Sequence, residues 1–120
     1  MVYFHDTYAI IALIDASESY ARFKPFEIIA SVLNIGEVYA ILLRNFGKNK
    51  ADEWFKVRNF ELLEITPETI VEATYFRHLN KKKGLSITDC VGYILSFKHN
   101  LKFLTGDKEF QYMKNVEFVK

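Results

Sequence analysis

The sequence predicts an α/β fold in which helices cover both faces of a central, mostly parallel five-stranded sheet, forming a three-layer α/β/α sandwich. The first observation is that short β-type runs alternate with helical patterns along the whole chain. Helices that connect parallel strands must bury their apolar stripes on the sheet, and they do so through right-handed crossovers. The second is size and composition: 120 residues, 50% hydrophobic, with five glycines and two prolines, fit a single domain over residues 1–120.

The predicted elements follow from the spacing of apolar residues and from the residues that start and stop helices. The five predicted strands are VYFH (2–5), FEIIAS (26–31), ELLEI (61–65), LKFLT (101–105) and VEFV (116–119). The predicted helices are 7–15, a helix through 37–46, 48–58, 68–83 and a helix through 90–99. The apolar run at 26–31 is short enough to be either a strand or a buried helix by its length alone.

Capping residues mark most of the helix ends. Predicted N-caps are Asp6, either Ser31 or Asn34, Thr66 ahead of Pro67, and the S-x-x-D capping box of Ser86 and Asp89. Predicted stops are Gly47, Gly84 and Asn100, which tolerate the left-handed backbone found after helices. The repeated order of strand, cap and helix supports the α/β prediction.

The charge balance limits the classes of partner. A formal charge of +1 provides no overall attraction for a polyanion, so any nucleic-acid binding must come from local patches. The longest basic run, Lys81 to Lys83, is most simply a solvated helix end. The single Cys90 excludes an intramolecular disulfide and is typical of a reducing cytoplasm. The apolar run YAIIALI is far shorter than the ~20 residues of a membrane span, so we expect a soluble, unprocessed cytoplasmic protein.

Four acids are predicted to meet at one edge of the sheet. Asp6 directly follows the first strand, and Asp107 follows the fourth after the Thr105-Gly106 turn. Glu37 lies early in its helix and Asp89 in the first turn of its helix, and both helices begin at the same carboxyl edge, where open α/β sheets bind ligands. Each acid alone has an ordinary structural role as a cap, a dipole-stabilising charge or a turn former.

Four converging carboxylates repel one another unless a cation lies among them. Mg²⁺ and Mn²⁺ prefer such all-oxygen sites and keep bound waters, so the pattern predicts a metal site that hydrolyses a phosphodiester. Thr7 and Thr105 stand next to these acids and are candidates to hydrogen-bond a carboxylate or a metal-bound water. Ordinary turn and helix-start roles for the two hydroxyls are equally compatible with the sequence.

The motifs VYFHD, SVLNIGEVY, GLSITDCVGYIL and LKFLTGDKEF together resemble the PIN-domain family, and most closely its VapC-type toxin ribonucleases. The resemblance covers essentially the whole chain and implies that the family acids are Asp6, Glu37, Asp89 and Asp107. It also implies Mg²⁺ or Mn²⁺ as cofactor, endonucleolytic cleavage of RNA, a homodimer with adjacent active sites, and inhibition by a small antitoxin protein.

Two departures from the family pattern concern packing. His5 stands where relatives usually have an apolar residue and is expected to be a packing residue at the strand end. Cys90-Val91-Gly92 replaces a small, alanine-rich run, which puts the packing of that helix in question.

Other polar residues have two interpretations. Glu109 is either an additional metal ligand or a solvated turn residue. Arg77, Lys81, Lys82 and Lys83 are either RNA contacts, as basic residues of relatives at this place suggest, or solvated charges.

Rival functions differ in what they require of the sequence. A Walker phosphate loop is absent, and strand one lacks the D-x-D of haloacid-type phosphatases because residue 8 is Tyr. A receiver domain needs an acceptor aspartate after strand three, where Ile65-Thr66 stands instead. Two alternatives within the fold stay open: an RNA-processing or decay nuclease outside a toxin–antitoxin pair, and a non-catalytic PIN-like binding module.

Overall fold

The computed structural model describes residues 2–120 and contains a five-stranded sheet in the order β3-β2-β1-β4-β5, with every neighbouring pair parallel. The strands are β1 (Tyr3–His5), β2 (Ile28–Ala30), β3 (Phe60–Leu62), β4 (Lys102–Thr105) and β5 (Val116–Phe118). The strand order reverses between β1 and β4, because the chain first builds outward through β2 and β3 and then returns to the other side of β1. The α/β class and the five predicted strands are confirmed.

Helices connect the strands and cover both faces of the sheet. They are α1 (Thr7–Ile14), α2 (Val32–Phe46), α3 (Lys48–Val57), α4 (Pro67–Leu79) and α5 (Ile87–Lys98), with short 3-10 helices at Glu18–Phe23, Lys81–Lys83 and Lys108–Phe110. No helix within residues 2–120 is long and apolar enough to cross a membrane.

The alternation of side chains along the strands divides the core into two layers. On one face, Phe4, Ile29 and Phe103 pack with the buried residues of α5 and with α4. On the other face, Ala30 packs with α1, α2 and α3, and Leu104 packs with α1 and the 3-10 helix at Glu18–Phe23. These two apolar layers, one on each face, produce the predicted three-layer sandwich.

The predicted helix over 68–83 is wrong at its C-terminal end. Helix α4 stops at Leu79, where the Asn80 side chain donates a hydrogen bond of 2.9 Å to the carbonyl of Phe76. The Asn80 backbone N–H donates to the same carbonyl at 3.1 Å, but Asn80 itself leaves the helical backbone, with φ −114 and ψ 28, and the three lysines form a separate 3-10 turn. Gly84 then takes the left-handed backbone, with φ +67, and ends this 3-10 turn, so α4 itself stops one turn before the predicted stop signal.

The predicted caps are otherwise confirmed, and the structure resolves the choice at α2. Ser31 is the cap residue, and Asn34 completes its capping box by accepting a hydrogen bond of 3.0 Å from the Ser31 backbone. Thr66 caps α4, and Asn100 has a left-handed φ of 57 after α5. The predicted strands over 26–31 and 61–65 are shorter in the structure, at Ile28–Ala30 and Phe60–Leu62, and the 3-10 helix at Glu18–Phe23 was not predicted.

Gly92 allows α5 to approach the sheet closely. A Cβ at this position would lie 2.6 Å from Cε1 of Phe4 and 3.1 Å from Cε1 of Phe103, and both phenylalanines are fully buried. Cys90 and Val91, both fully buried, belong to the same core cluster as Phe4 and Phe103. The departure from the alanine-rich run of relatives is accommodated by this contact.

We predict that Gly92→Ala destabilises the protein by about 1–3 kcal/mol, because the added methyl group overpacks a buried layer that has no room to move. Urea unfolding followed by circular dichroism measures this change. The matched control is Gly36→Ala in α2, where a Cβ meets nothing within 4 Å, and this variant should gain up to about 1 kcal/mol. Equal stability of the two variants would contradict the packing argument.

Candidate active site

A cleft of about 810 Å³ opens at the carboxyl edge of the sheet, where the strand order reverses between β1 and β4. Three of the predicted acids, Asp6, Asp89 and Asp107, line it. The other lining residues are Thr7, Tyr8, Ile11, Ala12, Asp15, Ser17, Ile41, Gly106, Lys108 and Lys120. The position of the cleft is the one that the sheet-edge argument predicts.

Asp6 is the most deeply buried of the four acids, with 3% of its surface exposed. Its Oδ1 accepts a hydrogen bond of 3.0 Å from the Ala9 backbone, which caps α1, and its Oδ2 accepts one of 2.5 Å from the Thr105 hydroxyl. Burial raises the pKa of Asp6 to about 7 against the effect of these two hydrogen bonds, and the charges of Asp89 and Asp107 add to the rise.

Thr105 connects two of the acids through one hydroxyl group. Its Oγ1 donates to Oδ2 of Asp6 and accepts a hydrogen bond of 3.0 Å from the backbone N–H of Asp107. The Asp107 carboxylate then accepts a hydrogen bond of 3.0 Å from the Glu109 backbone and caps the 3-10 helix that follows. The Thr105 hydroxyl therefore fixes the end of β4 relative to the end of β1.

Asp89 approaches the cleft from the start of α5. Its Oδ2 accepts a hydrogen bond of 3.2 Å from the Ser86 backbone, and its own backbone N–H donates to the Ser86 hydroxyl, as the predicted capping box requires. Burial raises the pKa of Asp89, the Ser86 hydrogen bonds oppose that rise, and the charges of Asp107 and Glu37 add to it. Asp89 is therefore both a helix cap and a member of the acidic group.

Glu37 is connected to the cleft through a hydrogen bond. It does not line the cleft, but its Oε1 accepts a hydrogen bond of 2.6 Å from the hydroxyl of Thr7, which does. The amide of Asn34 donates a hydrogen bond of 3.2 Å to the same hydroxyl. A chain of hydrogen bonds thus runs from the cap of α2 through Thr7 to Glu37.

The oxygen donors fit a hydrated divalent ion better than a closed protein cage. Within residues 2–120, no three acidic, histidine or cysteine side chains are positioned to hold one ion together as they are arranged. Mg²⁺ commonly binds through one or two carboxylates and keeps several waters, which complete its coordination. Burial and two neighbouring acids oppose the ionisation of the Asp6 carboxyl. A divalent ion beside this carboxyl would offset its charge.

The remaining predicted residues lie outside the cleft. Glu109 is exposed, and its Oε1 lies 4.0 Å from Nζ of Lys83. Arg77 and Lys81 line a separate depression of about 310 Å³, and Nε of Arg77 donates a hydrogen bond of 2.8 Å to the Leu85 carbonyl. Lys82 is exposed on the same turn. Their RNA-contact role and the ligand role of Glu109 stay predictions.

His5 is completely buried at the end of β1. Its Nδ1 lies 3.3 Å from the Tyr3 carbonyl oxygen, and within residues 2–120 its Nε2 has no hydrogen-bond partner. Burial lowers the pKa of His5 to about 4, so the ring is uncharged at neutral pH. This is the behaviour expected of a packing residue.

Several cleft residues were not predicted from the sequence. Tyr8 follows the Asp6-Thr7 pair, Lys108 follows Asp107, and Lys120 is brought to the cleft by β5. Their proximity to the acids along the chain was the available signal for Tyr8 and Lys108. Lys120 is not next to any of the four predicted site acids in sequence and reaches the cleft because β5 pairs with β4.

We predict that the metal-free protein loses stability as the pH rises from about 4 to about 7 because of Asp6. The folded state keeps a proton on Asp6 in this range and the unfolded chain does not, so the slope of unfolding free energy against pH is negative. The expected loss is on the order of 3 kcal/mol. Urea unfolding in EDTA at pH 4, 6 and 8 measures it.

The matched variant is Asp6→Asn, which keeps the cap of α1 but does not titrate. His5 acts in the opposite direction over part of this range, because its folded-state pKa is lowered, so the difference between the wild type and the variant isolates Asp6. Parallel stability curves for the two proteins would contradict the prediction.

Comparisons with known proteins place this architecture in a family. No curated protein matches the sequence. Among solved structures, VapC20 of Mycobacterium tuberculosis, described as a Sarcin-Ricin loop cleaving toxin, superposes with a TM-score of 0.80 at 19% identity over 98% of this chain and 99% of that one. VapBC2 of Rickettsia felis, solved with a DNA fragment from its promoter, has a TM-score of 0.72 at 17% identity over 100% of both chains.

A toxin–antitoxin complex from Klebsiella pneumoniae has a TM-score of 0.69 at 15% identity, over 96% of this chain and 95% of that one. At these identities the likeness shows the fold. The PIN-domain family profile matches residues 3–116, nearly the whole chain. With that match and the parallel sheet order, the chain belongs to the PIN-domain family.

Proposed function

We propose that this protein is an Mg²⁺- or Mn²⁺-dependent endoribonuclease that hydrolyses RNA phosphodiester bonds. The observation that carries the proposal is the convergence of Asp6, Asp89 and Asp107 on one cleft at the carboxyl edge of the sheet. These carboxylates come from three separate elements, and their charges oppose the ionisation of Asp6. Helix capping alone does not require the three carboxylates to lie near one another.

The three cleft acids are the proposed metal-holding residues, and Glu37 supports them from behind Thr7. A bound divalent ion supplies a water of lowered pKa and offsets charge on the phosphodiester. The protein contributes fixed positions: the Thr105 hydroxyl holds Oδ2 of Asp6, and the Ser86 backbone holds Oδ2 of Asp89. Side chains held in this way do not have to reorganise when substrate binds, which favours the reaction.

Thr105 has a positioning role in this proposal. Its hydroxyl spans Asp6 and the Asp107 backbone, so the relative placement of two acids depends on one side chain. Thr7 has the corresponding position between the α2 cap and Glu37. The two threonines act on the acids and not on the substrate.

We further propose that the protein acts in the cytoplasm as the toxin of a toxin–antitoxin pair, as a homodimer inhibited by a small antitoxin protein. The support is the likeness in fold to a VapC toxin and to chains of toxin–antitoxin complexes. An antitoxin-like reading frame directly beside the gene would support this role, and its absence would favour an RNA-processing nuclease. The dimer predicts a mass in light scattering of twice the 14.1 kDa of one chain, and a mass of one chain would contradict it.

The nuclease proposal predicts metal-dependent cleavage of a mixed RNA pool. Asp6→Asn and Asp89→Asn should each lower the cleavage rate by about a hundredfold or more, because the ion's contribution is several kcal/mol and each 1.4 kcal/mol is tenfold in rate. EDTA should abolish cleavage by the wild type, and added Mn²⁺ or Mg²⁺ should restore it. Gel electrophoresis of end-labelled RNA gives the rates.

The control variant is Asp52→Asn, which makes the same chemical change on α3, away from the cleft. It should cleave RNA at the wild-type rate. Equal cleavage by the wild type, Asp6→Asn and Asp89→Asn would refute the assignment of these acids. Absence of cleavage by the wild type with either metal would refute the nuclease proposal itself.

A further inference from the structure

The wall of the cleft beside the acids carries an exposed aromatic ring. Tyr8, the second residue of α1, lines the cleft with Asp6 and Asp107 and leaves 40% of its surface exposed. Core packing does not require such a large ring to be exposed to solvent next to a charged site. An aromatic face at this place is suited to stacking on a nucleic-acid base.

Contacts on its inner side hold the Tyr8 ring in place. A Cβ on Gly106 would lie 2.2 Å from Cε1 and 2.5 Å from Cζ of Tyr8, so only a glycine lets the ring lie against the turn after β4. The ring of Tyr20, which is fully buried, lies 6.2 Å away between centroids. A ring that is already fixed loses little conformational freedom when a base stacks on it.

Two lysines share the same cleft. Lys108 directly follows Asp107, and Lys120 is positioned by β5. The end of β5 is anchored, since Val119 donates its N–H to the Thr105 carbonyl at 2.9 Å and accepts a hydrogen bond of 2.6 Å from the Tyr20 hydroxyl. The Ser19 hydroxyl donates to the Lys120 carbonyl at 2.9 Å.

Lys108 and Lys120 bring two like charges to one cleft. Like charges held side by side are unfavourable unless an anion lies near them. In a cleft that is acidic at its centre, two ammonium groups at the rim are the natural contact for a phosphate.

From this geometry, and resting on the proposed nuclease function, we propose that Tyr8, Lys108 and Lys120 form a subsite for the nucleotide next to the scissile phosphate. Tyr8 stacks on its base, and the two lysines hold its phosphate. A base can stack on Tyr8 only when it is free of its neighbours in a duplex, so the subsite selects single-stranded or looped RNA.

The stacking role is tested by binding of a labelled single-stranded RNA ten nucleotides long to cleavage-deficient Asp6→Asn protein with Mg²⁺. In this background Tyr8→Leu, which keeps an apolar side chain against Gly106 but has no aromatic face, should bind about tenfold more weakly. Tyr8→Phe should bind within about twofold of the parent. The control is Tyr112→Leu, since Tyr112 is 92% exposed outside the cleft, and its affinity should not change.

In otherwise wild-type protein, Tyr8→Leu should raise KM for the same RNA by about tenfold and change kcat by less than about threefold. Thermal unfolding of each variant verifies that the fold is kept. If Tyr8→Leu binds and cleaves as the parent does, the stacking role is wrong. If the wild type does not cleave but Tyr8→Leu still loses affinity, the nuclease proposal fails, and Tyr8 stands as an RNA-binding residue with no scissile phosphate beside it.

The phosphate contact is tested by the salt dependence of binding. For single strands the slope of log K against log salt is about −0.7 for each phosphate contacted, so Lys108→Ala/Lys120→Ala, which removes the contact to one phosphate, should make it less steep by about 0.7. The matched double variant is Lys102→Ala/Lys114→Ala, on exposed lysines that do not line the cleft, and it should keep the parent slope. Equal slopes for the two double variants would overturn the assignment of the lysines. If a blunt-ended RNA duplex competes for binding as well as the single strand does, the proposed selectivity for single-stranded RNA is wrong.

Discussion

The parallel pairing of β1 with β4 is the constraint on which the acidic cleft depends. It places His5 opposite Leu104, so the residues that follow each strand emerge side by side at the same edge. The backbone N–H of Asp6 extends the pairing by donating to the Leu104 carbonyl at 3.2 Å. The Thr105 hydroxyl then bonds to Asp6 at 2.5 Å and connects it to the Asp107 backbone. Without this pairing, Asp6 and Asp107, which are about a hundred residues apart in sequence, would have no fixed positions relative to each other.

Capping and site formation are carried out by the same carboxylates. Asp6 caps α1 with Oδ1, and Asp89 completes the capping box of α5 with Oδ2. A cap bond orients its carboxylate at the start of the helix, and helices that begin at the carboxyl edge of the sheet bring those carboxylates to the cleft. Each of these two acids can therefore be both a helix cap and a member of the site, because the cap bond fixes the position of its carboxylate.

Much of the fold was predictable because its signals are local. The Ser86 and Asp89 capping box lies within four consecutive residues, and Asn100 adopts its left-handed backbone as part of a local stop. The end of α4 was not predictable in this way, since Asn80 leaves the helical backbone while its side chain and its N–H both donate to the Phe76 carbonyl, and no apolar spacing reveals that arrangement. The acids were found by combining local position with a general rule about sheet edges, whereas Lys120 needed the pairing of β5 with β4.

The sequence by itself determined the α/β class, most of the caps and the candidate acids, because each depends on neighbours within a few positions along the chain. Only the tertiary structure decided that Ser31 is the cap of α2, and that Asp6, Asp89 and Asp107 line one cleft while Glu37 bonds to Thr7. It also decided that burial raises the pKa of Asp6 to about 7. Burial and charge–charge effects depend on distances between elements, and those distances exist only after the sheet has assembled.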